Sequence, residues 1–106
     1  MNLEKGWKVV KQDERYIVTD NDTLKKLVTS ITELNPKHST TGHKHVGQEE
    51  VYIFRLGKGE MEINKKKFNV EAGDIIFIGD GDFHRVHNTS NSKLEFVCVF
   101  DGVRSH

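Results

Sequence analysis

From about residue 49 onward the chain alternates between short β-branched or aromatic runs and tight clusters of Gly, Asn, Asp and Ser, a rhythm that few folds accommodate. The runs are Glu50 to Leu56, Glu60 to Ile63, Lys67 to Val70, Asp74 to Ile78, Phe83 to Asn88 and Leu94 to Phe100. Gly57-Lys58-Gly59, Asn64-Lys65, Ala72-Gly73, Gly79-Asp80-Gly81 and Asn88-Thr89-Ser90-Asn91 separate them. Runs of this length read as strands, and closely spaced strands with turn residues between them form an antiparallel barrel or sandwich. The expected fold class is all-β.

The first third is less regular. Trp7 to Val10 and Arg15 to Val18 read as short strands around a polar Gln12-Asp13-Glu14 turn. Leu24, Leu27, Val28, Ile31 and Leu34 behind Asp22 have the spacing of an amphipathic helix with an N-cap. Against that, Val28-Thr29-Ser30-Ile31-Thr32 is rich in β-branched residues that suit a pleated surface. The segment is expected to be a strand, chiefly because of the motifs further along. A chain of 106 residues has room for one core. The expected organisation is N-terminal strands and a dimer-contact segment over 1–23, a barrel over 24–100 and a tail over 101–106, with disorder, His106 included, confined to the ends.

Sixteen basic residues balance sixteen acidic ones, so no global field draws the chain to nucleic acid or to an anionic membrane. Lys65-Lys66-Lys67 is expected to be a solvated hairpin turn. No apolar run approaches the roughly 20 residues of a membrane helix, and Met1-Asn2-Leu3-Glu4-Lys5 does not open a signal peptide, so the expected compartment is the cytoplasm. Cys98 is the only cysteine, which excludes an internal disulfide and a Cys-rich zinc module. Its apolar strand, Leu94 to Phe100, predicts a buried, inert thiol.

The chemistry is concentrated in Gly42-His43-Lys44-His45-Val46-Gly47-Gln48-Glu49-Glu50. Residues two apart on an extended chain share a face, so His43 and His45 project together and Lys44 opposes them. A carboxylate across a short bend can complete a facial ligand set for Mn, Fe, Co, Ni or Zn, and Glu49 and Glu50 both offer one. Downstream, Gly79-Asp80-Gly81-Asp82-Phe83-His84 supplies a tight turn that delivers another histidine at a strand start.

These two segments resemble the paired motifs of the cupin family, G-x5-H-x-H-x3,4-E-x6-G and G-x5-P-x-G-x2-H-x3-N. His43, His45, Glu50 and Gly57 match the first, and Gly73, Gly81, His84 and Asn88 the second. The six-residue gap to Gly57 favours Glu50 over Glu49. The fifteen residues Lys58 to Ala72 separate the motifs, and the resemblance covers about residues 24 to 100. Lys37 stands where the first motif opens with Gly, and Gly79 replaces the Pro of the second, at some expected loss of loop rigidity. The resemblance implies a single-domain double-stranded β-helix, or jelly-roll, barrel. It also implies one divalent metal, of unspecified identity, on His43, His45, Glu50 and His84.

Strand parity then predicts the surroundings of the ion. Tyr52, Phe54 and Leu56 follow Glu50 inward, while Val51, Ile53 and Arg55 face out; Val86 and Asn88 follow His84 inward, while Arg85 and His87 face out. Tyr52 could contact a ligand, and His38 could line the barrel mouth. No Lys or Arg falls at an inward position of the assignable strands, which weakens the case for a phosphorylated sugar. The outward Val51 and Ile53 need cover, and a homodimer through this face is expected, as in small cupins.

Four protein ligands leave up to two positions of an octahedral ion open, the arrangement of a catalytic site. The expected function is a metal-dependent, small-molecule-binding cupin. It is read as an isomerase, epimerase or lyase on a small carbohydrate or hydroxy-keto compound, with Glu49 or Glu50 near the transferred proton and Tyr52 beside the ligand. A mononuclear iron dioxygenase and a non-catalytic metal- and ligand-binding module are the alternatives. The barrel itself does not choose among them.

Overall fold

The computed structural model describes residues 5–102, so the expectations for residues 1–4 and for the tail beyond residue 102, His106 included, fall outside it. Nine strands follow in chain order: β1 (Trp7–Gln12), β2 (Tyr16–Asn21), β3 (Leu27–Leu34), β4 (Glu50–Leu56), β5 (Lys58–Ile63), β6 (Lys66–Glu71), β7 (Ile75–Ile78), β8 (His84–His87) and β9 (Leu94–Asp101). They form two antiparallel sheets, one ordered β1-β2-β3-β9-β4-β7 and one ordered β6-β5-β8. This is the jelly-roll architecture that the strand rhythm and the motifs predict. None of the described residues belongs to a helix long and apolar enough to cross a membrane.

The ambiguous segment is a strand. β3 pairs with β9 along its whole length and with β2 from Thr29 to Leu34. Ladders on both sides, together with the β-branched content, outweigh the helical spacing of its leucines. Leu24, which the helical reading would bury, is 64% exposed.

Parity holds along β4 through Glu50, Tyr52 and Phe54, all buried, and along β8 through His84 and Val86, with Asn88 buried just beyond it. It fails at Leu56, expected inward and found exposed. The register against β9 shifts between Phe54 and Leu56, so Arg55 is an extra residue and Leu56 turns out. Arg55 reaches Glu95 across the shift at 3.2 Å.

The core fills the barrel with Leu34, Phe54, Met61, Val86, Leu94 and Phe96, each 2% exposed or less. An aromatic ladder runs from it: Phe54 lies 5.3 Å from Phe96, Phe96 stacks on Tyr52 at 5.2 Å, and Tyr52 meets His84 edge-on at 5.7 Å. Each fully buried Phe contributes roughly 1.5–3 kcal/mol by removal from water. Cys98 is buried on the same inward face of β9, as expected of an inert thiol.

Candidate metal centre

Glu50 is the first residue of β4, held between Phe100 of β9 and Ile78 of β7. Its side chain points into the barrel and is buried, whereas Glu49 is exposed on an outer groove with Val51 and Phe77. Glu49 was expected beside the chemistry. The strand start at Glu50 fixes one carboxylate inward and its predecessor outward, so Glu50 is the carboxylate at the centre.

The histidines come from the opposite sheet. The segment before β4 runs alongside β8 as isolated bridges, Ser39 opposite His87 and His43 opposite His84. His43 and His84 exchange backbone hydrogen bonds of 3.0 and 2.8 Å. The three imidazoles gather closely: His43 stacks on His45 with centroids 5.6 Å apart, and His84 lies 6.2 Å from His43 and 5.8 Å from His45.

Glu50 Oε1 lies 3.6 Å from Nε2 of His84 and 3.9 Å from Nε2 of His45. Donor atoms of His45, Glu50 and His84 all fall within 4.8 Å of one another, close enough to share one ion. Nδ1 of His84 lies 3.1 Å from the Asp82 carbonyl oxygen, which can only accept, so Nδ1 carries the proton. Burial holds the His84 ring below the usual histidine range, with His45 adding to the effect and the Asp82 carbonyl opposing it. A neutral ring with a protonated Nδ1 presents a bare Nε2 lone pair to the carboxylate. Lone pair against carboxylate is a set that a cation between them satisfies. Buried imidazole and carboxylate donors fit a first-row divalent ion.

Two turns hold these donors in place, tied together by bonds that no sequence motif announces. Gly81, at φ 79°, donates its N–H to the His45 carbonyl at 2.9 Å, and Gly47, at φ 84°, donates to Asp80 Oδ1 at 2.7 Å. Asp82 accepts from Gly79 N at 3.2 Å and from Asn64 Nδ2 at 3.1 Å. A proline at 79 could not donate that bond, so the turn is stapled by Asp82 where the motif would have used a ring. Asn64, read from sequence as a hairpin turn, also exchanges bonds with the Phe83 backbone and thereby positions the start of β8. Lys37, in the motif's other departure, takes the left-handed φ of 62° that glycine would adopt without strain.

A cavity of about 40 Å³ adjoins the centre, bordered by His43 and Glu50 at the metal side. Tyr52 lines it, as expected; His38 does not. Ser30, Thr32, Thr40 and Tyr16 also line it, together with apolar residues that include Val18, Phe96 and Phe100. Lys11, one residue beyond the first strand assigned from sequence, lines it as well. Facing away from the site, His87 is held by Ser39 Oγ at 2.7 Å on Nδ1 and by Glu62 Oε1 at 3.0 Å on Nε2.

Comparison with known proteins agrees with this geometry. Residues 30–100 match the family model described as the cupin domain. A curated oxalate-binding protein of Thermotoga maritima is 40% identical over 67 residues, which are 63% of this chain and 55% of that protein. An uncharacterised protein of Methanocaldococcus jannaschii is 38% identical over 64 residues, 60% of this chain and 51% of that one. The chain thus spans about half the length of the curated relatives it matches. The crystal structure of a predicted oxalate decarboxylase from T. maritima superposes with a TM-score of 0.75 at 28% identity, covering 94% of this chain and 95% of that one. An oxalate decarboxylase–formate complex from Lactobacillus farciminis gives 0.82 at 24% identity over 91% of this chain and 31% of that one, a likeness of fold. Two-thirds of the sequence, both motifs and the whole described barrel agree: the chain belongs to the cupin family.

Proposed function

We propose that this chain holds one divalent metal through His43, His45, Glu50 and His84 and binds a small carboxylate or hydroxy-keto compound on it. The observation that carries this reading is the convergence of His45, Glu50 and His84, whose donor atoms lie within 4.8 Å of one another, with the ring of His43 outside that group but stacked on His45 at 5.6 Å, beside a small cavity. When bound, such an ion acts as a Lewis acid on the oxygens of a chelating ligand. The protein's part is to present imidazole donors, that of His84 oriented by the Asp82 carbonyl, and to exclude bulk water with Tyr52 and Phe96.

The cavity's 40 Å³ is room for about three ordered waters, which favours a ligand of few non-hydrogen atoms over a sugar ring. Among the reaction classes expected from the sequence, this favours lyase or isomerase chemistry on a short acid over carbohydrate epimerisation. The name of the T. maritima relative points the same way, to oxalate. A homodimer formed through the outer face of the six-stranded sheet belongs to the same proposal. Phe77 of β7 is 78% exposed there, beside Val51 of β4 and Val99 of β9.

The test is metal content of untagged protein by plasma mass spectrometry, followed by calorimetric titration with oxalate before and after chelation. Near-stoichiometric metal, with oxalate binding that disappears on chelation, supports the reading. Protein that retains no metal, or binds oxalate equally after chelation, overturns it. Substrate-dependent oxygen uptake after anaerobic Fe(II) loading would instead identify a dioxygenase.

A further inference from the structure

β1 is an edge strand of the larger sheet, and its alternation is broken once. Lys8 stands opposite Asp20 and Val9 opposite Thr19, but the register then shifts so that Lys11 stands opposite Val18. Asp20 and Val18 are buried inward positions of β2, and Val9 is exposed. Without the shift, Lys11 would share the outer face of Val9. The extra residue at Val10 turns both Val10, which packs on the core, and Lys11 inward. Re-aiming one side chain is what a β-bulge does, and bulges concentrate beside binding sites.

Turned inward, Lys11 lines the cavity whose other side is bordered by His43 and Glu50. Its strand position is in line with Thr32 across β2, since Lys11 faces Val18 and Val18 faces Thr32. Ser30 and Thr32, both buried on β3, line the same wall. The lining therefore combines the candidate metal ligands His43 and Glu50 with a basic side chain and two hydroxyl-bearing residues. Charged donors make stronger hydrogen bonds to carboxylate than neutral ones, and a lysine supplies a compact positive charge for it.

Resting on the function proposed above, we infer that Lys11 is the ligand-recognising cation of this cavity, and that the ligand is a dicarboxylate of two or three carbons. One carboxylate sits on the metal, and the other meets Lys11 with the Ser30 and Thr32 hydroxyls. A monocarboxylate fills only the metal end and gains nothing from Lys11. The cavity volume limits the chain between the two acids, and the fixed positive charge sets the preference for a second acid.

The experiment compares the parent protein with Lys11→Met and Lys11→Arg, all loaded with Mn(II). Metal content is measured, and oxalate and acetate are each titrated calorimetrically. Expected is unchanged metal stoichiometry in Lys11→Met, oxalate affinity lower by about tenfold or more, and acetate affinity unchanged, with Lys11→Arg recovering part of the oxalate binding. Equal oxalate affinity in parent and Lys11→Met overturns the role of Lys11 and leaves the metal–carboxylate reading standing. Equal losses for oxalate and acetate, or a loss of metal in Lys11→Met, overturn it as well by showing a structural effect. A metal-loaded parent that binds no oxalate defeats the functional reading itself, and the inference with it.

Discussion

His84 donates from Nδ1 to the carbonyl oxygen of Asp82 at 3.1 Å, and that single bond decides which ring nitrogen faces Glu50. Asp82 does more than accept it: its carboxylate ties down Gly79 and Asn64, the two residues that border the turn into β8. Asp82→Ala leaves the carbonyl but frees the turn. The expected result is metal affinity lower by roughly 10-fold, within the range for loss of an outer-shell partner, with stability lower by about 1–2 kcal/mol for two bonds lost near the surface. Competition titration with a chromogenic chelator reads the first and urea unfolding the second. Parent-like metal affinity in Asp82→Ala would show that the ring is oriented by something else.

The link between Glu62 and His87 sets a pH dependence. The hydrogen bond from His87 holds the Glu62 carboxyl below its usual value of 4.5, with Lys67 and Arg85 adding attraction. A depressed carboxyl contributes stability that is present above 4.5 and is lost as pH falls through its lower folded value. Glu62→Gln is therefore expected to unfold at lower urea than the parent at pH 7, and the gap should narrow as pH falls below 4.5. A gap that does not narrow with acidification would mean that the substitution acts through packing.

Lys37 carries backbone strain at φ 62° that a longer or branched side chain makes worse. Relief of roughly 1–2 kcal/mol of left-handed strain in Lys37→Gly is offset by about 0.5–1 kcal/mol of added freedom in the unfolded chain. The net expectation is a gain between zero and about 1.5 kcal/mol, reduced by loss of the Lys37–Thr89 bond, which brings Lys37→Gly close to the parent. Lys37→Val should lose more than about 1 kcal/mol. A urea midpoint for Lys37→Val below those of both Lys37→Gly and the parent is the readout, and Val equal to Lys would refute the strain argument.

Phe77 tests the proposed dimer. Placing a charge on this exposed ring position, Phe77→Glu, should shift the parent's sedimentation-equilibrium mass from dimer to monomer at micromolar concentration. Metal content should stay the same, since the ring lies on the outer face of β7. A dimer that survives Phe77→Glu would place the contact elsewhere.

The sequence allowed the barrel, the grouping of His45, Glu50 and His84 and the choice of strand for Leu27–Leu34 to be read because each depends on alternation with a period of two. His43 with His45, Glu50 with Tyr52, and His84 with Val86 keep their sides. Leu56, expected inward and found exposed, and Lys11, which the sequence reading left unassigned, each follow a register shift, in β4 against β9 and in β1 against β2. A one-residue shift exchanges faces for everything beyond it, and no local residue choice announces it. The latches among Gly47, Asp80, Gly81 and His45 were equally invisible, because they join loops more than thirty residues apart in sequence.

β9, the last strand of the described chain, lies in the middle of its sheet, between β3 and β4. Glu50 is paired to Phe100, so its carboxylate has no fixed place until residues 94–101 have slid between strands made far earlier. His43 likewise waits for His84 to bridge it. The candidate centre is therefore complete only in the closed barrel. An ion held there would be taken up by the folded chain rather than by its separate segments, so the ion most abundant where folding finishes would be the first the site samples.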